Sequence, residues 1–183
     1  MVFNVHAGHA PAGGRGCGAV GYLNESTVAR QVKDEVIRIL RQDGHTVYDT
    51  TYNKNATAGT VLRGIVSACN KHKVDLDVSI HFNALKASVS DGRVKGTECW
   101  VFPRLNDRAV KAGGRICSAM KKLGFTDRGV KFSSGLYFLK KTNAQALLIE
   151  VCFVDDEDDY RLYMETGYKK VAQAIAEGLE KCR

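Results

Sequence analysis

No stretch of this chain approaches the roughly 20 consecutive apolar residues that a membrane-crossing helix needs, which argues against a helical membrane protein. Its six cysteines, Cys17, Cys69, Cys99, Cys117, Cys152 and Cys182, contain no C-x-x-C pair, so their spacing suggests neither a zinc ribbon nor a disulfide framework. Cys69, Cys117 and Cys152 fall in apolar patterns and read as small core residues, while Cys182 reads as an exposed tail residue. Basic clusters are missing as well. The net charge of +7 favours an anionic partner such as nucleic acid, acidic lipid or a wall polymer. Yet Lys121-Lys122, Lys140-Lys141 and Lys169-Lys170 are short pairs scattered along the chain. A nucleic-acid binder would need clustered cations and base-stacking aromatics, and the single tryptophan, Trp100, lies in a strand-like segment. There is no repeat, low-complexity segment or long linker. The G-x-S-x-G, H-E-x-x-H and Walker patterns are absent, and the glycines from Gly13 to Gly21 do not match the dinucleotide fingerprint; they read as a flexible rim.

What is present is an alternation of short β-like runs and longer helical ones. At 183 residues the chain is most simply one domain, 1–183, able to bury a sizeable core. Strands are expected at residues 2–5, 45–51, 74–82, 96–102, 136–139 and 146–154. Helices are expected at 24–41, 57–73, 107–123 and 165–181. Val28, Val32, Val36, Ile39 and Leu40 form one helical stripe, with Asn24 as the N-cap and Gly44 as the stop. The fold class is α/β: a mostly parallel, roughly six-stranded twisted sheet covered by helices on both faces. The opening Met1-Val2-Phe3-Asn4-Val5 reads as a first strand rather than a signal peptide. Synthesis in the cytosol with reduced thiols is the matching expectation.

In such a sheet, ligands lie beyond the carboxyl ends of the strands. His6 and His9 follow the first strand, His81 ends the third, and Glu25 opens the first helix after the glycine loop. Glu150 stands inside the apolar run Ala146-Leu147-Leu148-Ile149-Glu150-Val151-Cys152-Phe153-Val154, where a carboxylate is costly unless something meets it. A strand-end glutamate turned to solvent, or paired with an Arg or Lys, is the alternative. Two histidines and a carboxylate are a common catalytic zinc shell that leaves a position for water; a further carboxylate can take that water's proton. His9, Glu25, His81 and Glu150 would supply both. His45 and His72 fall at element junctions away from this edge and read as structural or solvent-facing.

The pieces Gly8-His9, Asn24-Glu25, Ser79-Ile80-His81-Phe82-Asn83-Ala84 and Leu148-Ile149-Glu150-Val151-Cys152-Phe153, supported by Leu62-Arg63, Gly96-Thr97-Glu98 and Arg128-Gly129-Val130-Lys131, carry a resemblance across nearly the whole chain. It resembles the zinc-dependent N-acetylmuramoyl-L-alanine amidases of the Amidase_3 type, peptidoglycan hydrolases of autolysins, sporulation hydrolases and phage endolysins. The resemblance implies that one zinc ion is held by His9, Glu25 and His81. It also implies that Glu150 is the catalytic carboxylate, that Asn83 shapes the site or touches substrate, and that Arg63 is structural. The substrate would be the amide between N-acetylmuramic acid and the L-alanine of the stem peptide. The partner would be cell-wall peptidoglycan, reached after lysis or holin-type release, with no nucleic acid, membrane span or protein partner inferred. A zinc peptidase acting on the stem or cross-bridge, and a wall-binding module without catalysis, are the alternatives. Two departures stand out. His6-Ala7 replaces the family's usual Asp-Pro, leaving His6 as a second-shell partner or competing ligand, with His9 preferred. Asp155-Asp156 replaces its usual Ser-Asn or Thr-Asn. The loop 85–95 is too short for a blocking helix, so an open site is expected.

Overall fold

In the computed structural model, which describes residues 1–85, 93–103 and 107–180, strand β1 (Val2–Ala7) buries every residue after the first. It can do so because neighbours flank it on both sides. Strand β2 (Thr46–Asp49) pairs with one edge of β1 and strand β3 (Leu76–Asn83) with the other, both parallel. Strand β6 (Ala146–Phe153) continues parallel beside β3. Strand β4 (Thr97–Val101) pairs antiparallel with β6, and strand β5 (Asp127–Phe132) closes the sheet parallel to β4. The order is β2-β1-β3-β6-β4-β5.

Helices α1 (Glu25–Gln42), α3 (Asp107–Lys122) and α6 (Tyr168–Glu180) pack on one face and against one another. The α1 stripe reads as expected: Val28, Val32, Val36, Ile39 and Leu40 are all buried, each such side chain contributing about 1.5–3 kcal/mol. Among the described residues, the other face carries helix α2 (Ala58–Cys69) and the short α4 (Tyr137–Lys141). Strand alternation therefore sorts the sheet into two unlike surfaces. Leu147, Ile149 and Val151 enter the large core, while Ala146 and Leu148 face the smaller cluster with Val61, Ile65 and Phe138.

Three expectations need correction. Residues 136–139 are not a strand: an apolar run this short does not separate strand from buried helix, and here Phe138 and Leu139 turn into the small core. The sixth strand is β5 instead, whose sequence DRGVKF has few apolar residues and a glycine at φ 74°. The terminal helix begins at Tyr168 rather than 165, because Gly167 at φ 78° ends a separate helix α5 (Glu157–Thr166). Along β3, Asp77 and Ser79 are as buried as Val78 and Ile80. Asp156, one of the two unusual aspartates, caps α5 by accepting from the Asp159 amide at 2.9 Å. Its neighbour Asp155 accepts from the Leu85 amide at 2.9 Å. Most of the loop 85–95, namely 86–92, and the tail residue Cys182 lie outside the described residues. Cys17, Cys69, Cys99, Cys117 and Cys152 are free thiols. No helix among the described residues is long and apolar enough to cross a membrane.

Candidate metal centre and active-site cleft

The carboxyl ends of β1, β3 and β6 meet on the sparsely covered face. There, His9 Nε2 and His81 Nδ1 each lie 3.1 Å from the same oxygen, Glu25 Oε1. Glu25 reaches this point because the Asn24 side chain accepts from the Thr27 amide and so fixes the first turn of α1. Its Oε2 accepts from the Ala19 amide at 2.9 Å, and Oε1 also accepts from the Phe82 amide at 3.2 Å. Burial works to raise the Glu25 pKa, but hydrogen bonds from His81 and His9, with their charges, outweigh it and hold the carboxyl well below its ordinary range. One ligand atom from each of His9, Glu25 and His81 lies within 4.8 Å of the others.

This donor set fits a zinc ion. Bonds of about 2.0–2.2 Å in tetrahedral geometry put neighbouring ligand atoms roughly 3.3–3.6 Å apart, close to the two 3.1 Å separations seen. Strain marks the site too: among the described residues His9 is the one non-glycine at positive φ, 65°, a conformation held only where the surroundings dictate it. Arg30 supplies that hold, donating through Nη2 to the carbonyl oxygens of His9 at 3.1 Å and Tyr52 at 3.2 Å.

Two glycines are placed by close approach rather than by flexibility. A Cβ on Gly18, at φ 83°, would meet the Glu25 carboxylate and would sit 2.9 Å from His9 Cδ2. A Cβ on Gly8 would overlap the His81 ring. Gly8→Ala should therefore displace the His81 ring and cost about 1–3 kcal/mol through overpacking. Zinc titration and thermal melts would check this, and wild-type zinc affinity in that variant would refute the packing argument.

Glu150 occupies the rung beside His81, its Cα partner across β3 and β6. Its Oε2 is shut from solvent and has no hydrogen-bond partner. Burial, then the nearby charges of Glu25 and Glu98, push its pKa well above the ordinary value of 4.5. Oε2 is thus turned away from solvent, and among the described residues no Arg or Lys forms an ion pair with Glu150. The sign of the pH effect follows. In metal-free protein the contribution of Glu150 to stability is fully present below the ordinary carboxyl value and is lost as pH rises toward the raised folded value. The melting temperature of Glu150→Gln minus that of wild type, both chelated, should widen from about pH 4 to about pH 8; a flat difference would contradict the burial.

The cleft beside these groups encloses about 400 Å³ between α2 and α4, walled by Val61, Ile65, Leu136, Phe138 and Leu148. Ser79 Oγ, also lining it, is buried without a partner. His6 lies outside the His9-Glu25-His81 cluster, its Nδ1 3.4 Å from Thr50 Oγ1. Burial, reinforced by His81, pushes the His6 pKa down to about 3, so the ring is neutral. His45 and His72 stay structural, with His72 bonded to Asn4 at 2.9 Å and stacked on Tyr48.

Sequence reasoning assigned no role to Glu98, which the antiparallel β4–β6 ladder sets opposite Glu150. Its side chain is 3% exposed, yet ion pairs with Arg128 and Lys131 meet it. Burial favours the neutral acid, but bonds from Lys131 and Arg128 win and keep its pKa below normal. Asn83 donates to Glu98 Oε1 at 3.0 Å and accepts from the Ala84 amide at 2.8 Å, so its amide is engaged in shaping the site.

A cluster of two imidazoles and a carboxylate able to hold a cation, beside a further buried carboxyl group, is the arrangement a metal-assisted hydrolase uses. Residues 4–181 match the Amidase_3 family, described as N-acetylmuramoyl-L-alanine amidase. The chain belongs to that family. An uncharacterised protein of Clostridium perfringens is 32% identical over 164 residues, covering 90% of this chain and 48% of the relative. The endolysin of Bacillus phage SPP1 is 27% identical, covering 94% of this chain and 62% of the phage protein. The chain thus spans about half the length of the Clostridium relatives it matches. Among solved structures, the catalytic domain of the CD27L endolysin targeting Clostridia difficile superposes with a TM-score of 0.86 at 25% identity, covering 99% of this chain and 97% of that one.

Proposed function

We propose that this chain is a single catalytic domain that hydrolyses the amide between N-acetylmuramic acid and the L-alanine of the stem peptide in bacterial peptidoglycan. One zinc ion would be held by His9 Nε2, Glu25 Oε1 and His81 Nδ1. The observation that carries the reading is the placement of Glu150, a buried carboxyl with a raised pKa, on the rung beside His81 of the His9-Glu25-His81 cluster. Family membership narrows the amide to this linkage.

The chemistry that zinc supplies in such a cradle is Lewis acidity, toward a carbonyl oxygen and toward water. Glu150 does the proton work: in its ionised form it accepts the proton of the attacking water, and it passes that proton to the leaving amine of L-alanine. Its apolar surroundings suit the second step, because they favour the protonated acid until the amine takes the proton. Glu25 keeps its negative charge throughout and so lowers the cost of a divalent cation beside two neutral imidazoles. The walls from α2 and α4 exclude bulk water from the back of the cleft. Asn83 fixes the turn after β3 through Glu98 and the Ala84 amide. Action on the wall from outside the cytoplasm, after lysis or holin-type release, fits the endolysin relatives.

Digestion of purified sacculi tests the reading. Mass spectrometry should find intact stem peptides with a free L-alanine amine and glycan stripped of peptide. New ends inside the stem or cross-bridge would assign a peptidase instead, and sacculi bound but uncut would leave a wall-binding module.

A further inference from the structure

The Glu98 cluster does more than neutralise a buried acid. Glu98 Oε1 accepts from Asn83 Nδ2 and Trp100 Nε1, each at 3.0 Å. Its Oε2 receives Arg128 Nε at 2.6 Å and the Lys131 ammonium as well. One cation would balance this carboxylate; the second leaves the cluster with a net positive charge beside the cleft. Arg128 engages Glu98 through its inner Nε, so its two terminal Nη groups make no hydrogen bond among the described residues. Its side chain remains 24% exposed, and its guanidinium carbon lies 5.1 Å from the centroid of the Phe153 ring. Phe153 is the Cα partner of Asn83 at the carboxyl edge of the sheet, on the same strand as Glu150. Lys131, 32% exposed, lies 5.4 Å from the Trp100 ring.

Resting on the amidase reading, the geometry points to a carboxylate-recognition lip in which the free fork of Arg128, pinned by Glu98 and seconded by Lys131, grips the free carboxylate of the second stem-peptide residue. A planar pair of N–H donors matches a carboxylate in two parallel bonds. The reach agrees: an extended peptide advances about 3.3–3.6 Å per residue and neighbouring strands lie about 4.8 Å apart. The carboxylate of the second residue lies two residues, about 6.6–7.2 Å, beyond an amide held at Glu150, past β4 at about 4.8 Å and short of β5 at about 9.6 Å. Glu98 is a positioning residue here, while Arg128 and Lys131 are the binding groups.

The test uses the zinc-loaded chain and two synthetic muramyl dipeptides that differ only in the second residue, a free α-carboxylate in one and its amide in the other. Wild type should prefer the acid by about tenfold in kcat/KM, the effect of one charge-assisted hydrogen-bond pair. In R128Q the acid-over-amide ratio should collapse to within about twofold, through a higher KM for the acid rather than a lower kcat. R38Q, a change on the far helix face, should keep the preference. If R128Q does not fold, Arg128→Lys carries the test, since it keeps the charge without the fork and should fall between the two. A ratio that survives either change, equal losses on both compounds, or equal efficiency in wild type would overturn the lip alone. Cleavage of neither compound by wild type would overturn the amidase reading and the lip with it.

Discussion

Replacing Glu150 with glutamine should lower turnover on sacculi by about 10²–10⁴-fold, the range that one positioned acid–base group contributes, while zinc content stays at one per chain. Glutamine keeps the shape and removes only the ability to exchange a proton. The buried Oε2 has no partner to lose, so the substitution leaves packing intact and metal-free protein gains stability at neutral pH. A variant more stable than wild type yet nearly inactive would separate chemistry from folding at this position. Wild-type release of amino groups by Glu150→Gln would sink the assignment.

The second large effect concerns the cradle. Because His9, Glu25 and His81 converge only in the folded chain, zinc should stabilise the native state by about 4 kcal/mol at a free concentration a thousandfold above its dissociation constant. For a domain of this size that is a melting temperature higher by about 8–16 °C. A chelator should reverse it. His9→Ala and His81→Ala should each lose the bound ion and the chelator response together, measured by elemental analysis and calorimetry. A wild-type melt indifferent to both zinc and chelator would mean that the three side chains meet for another reason.

How far the chain could be read in advance depended on what kind of signal each residue left. Glu150 stood out because a carboxylate interrupted an apolar strand, and α1 because its stripe and caps agreed. His9 and His81 stood out only by converging with Glu25 and Glu150 at strand ends, a signal that did not separate His9 from His6. Glu98 left no such signal. In Thr97-Glu98-Cys99-Trp100-Val101 it alternates like any solvent-facing residue, and only the antiparallel pairing with β6 turns it inward against Glu150. Arg30 is hidden for a similar reason: its task, bonding the His9 carbonyl, is defined by a loop fold no periodicity encodes. The α4 segment read as a strand and β5 went unassigned because the more apolar of the two is the helix and the more charged is the strand.

Because His81 and Glu150 are neighbours across one backbone rung, their spacing is dictated by the sheet's own repeat, much as teeth are spaced along a rack. Surrounding loops can lengthen, shrink or change composition while that interval stays constant. Descendants of such a scaffold are thus free to explore new walls and new cross-links without having to reinvent the reaction each time.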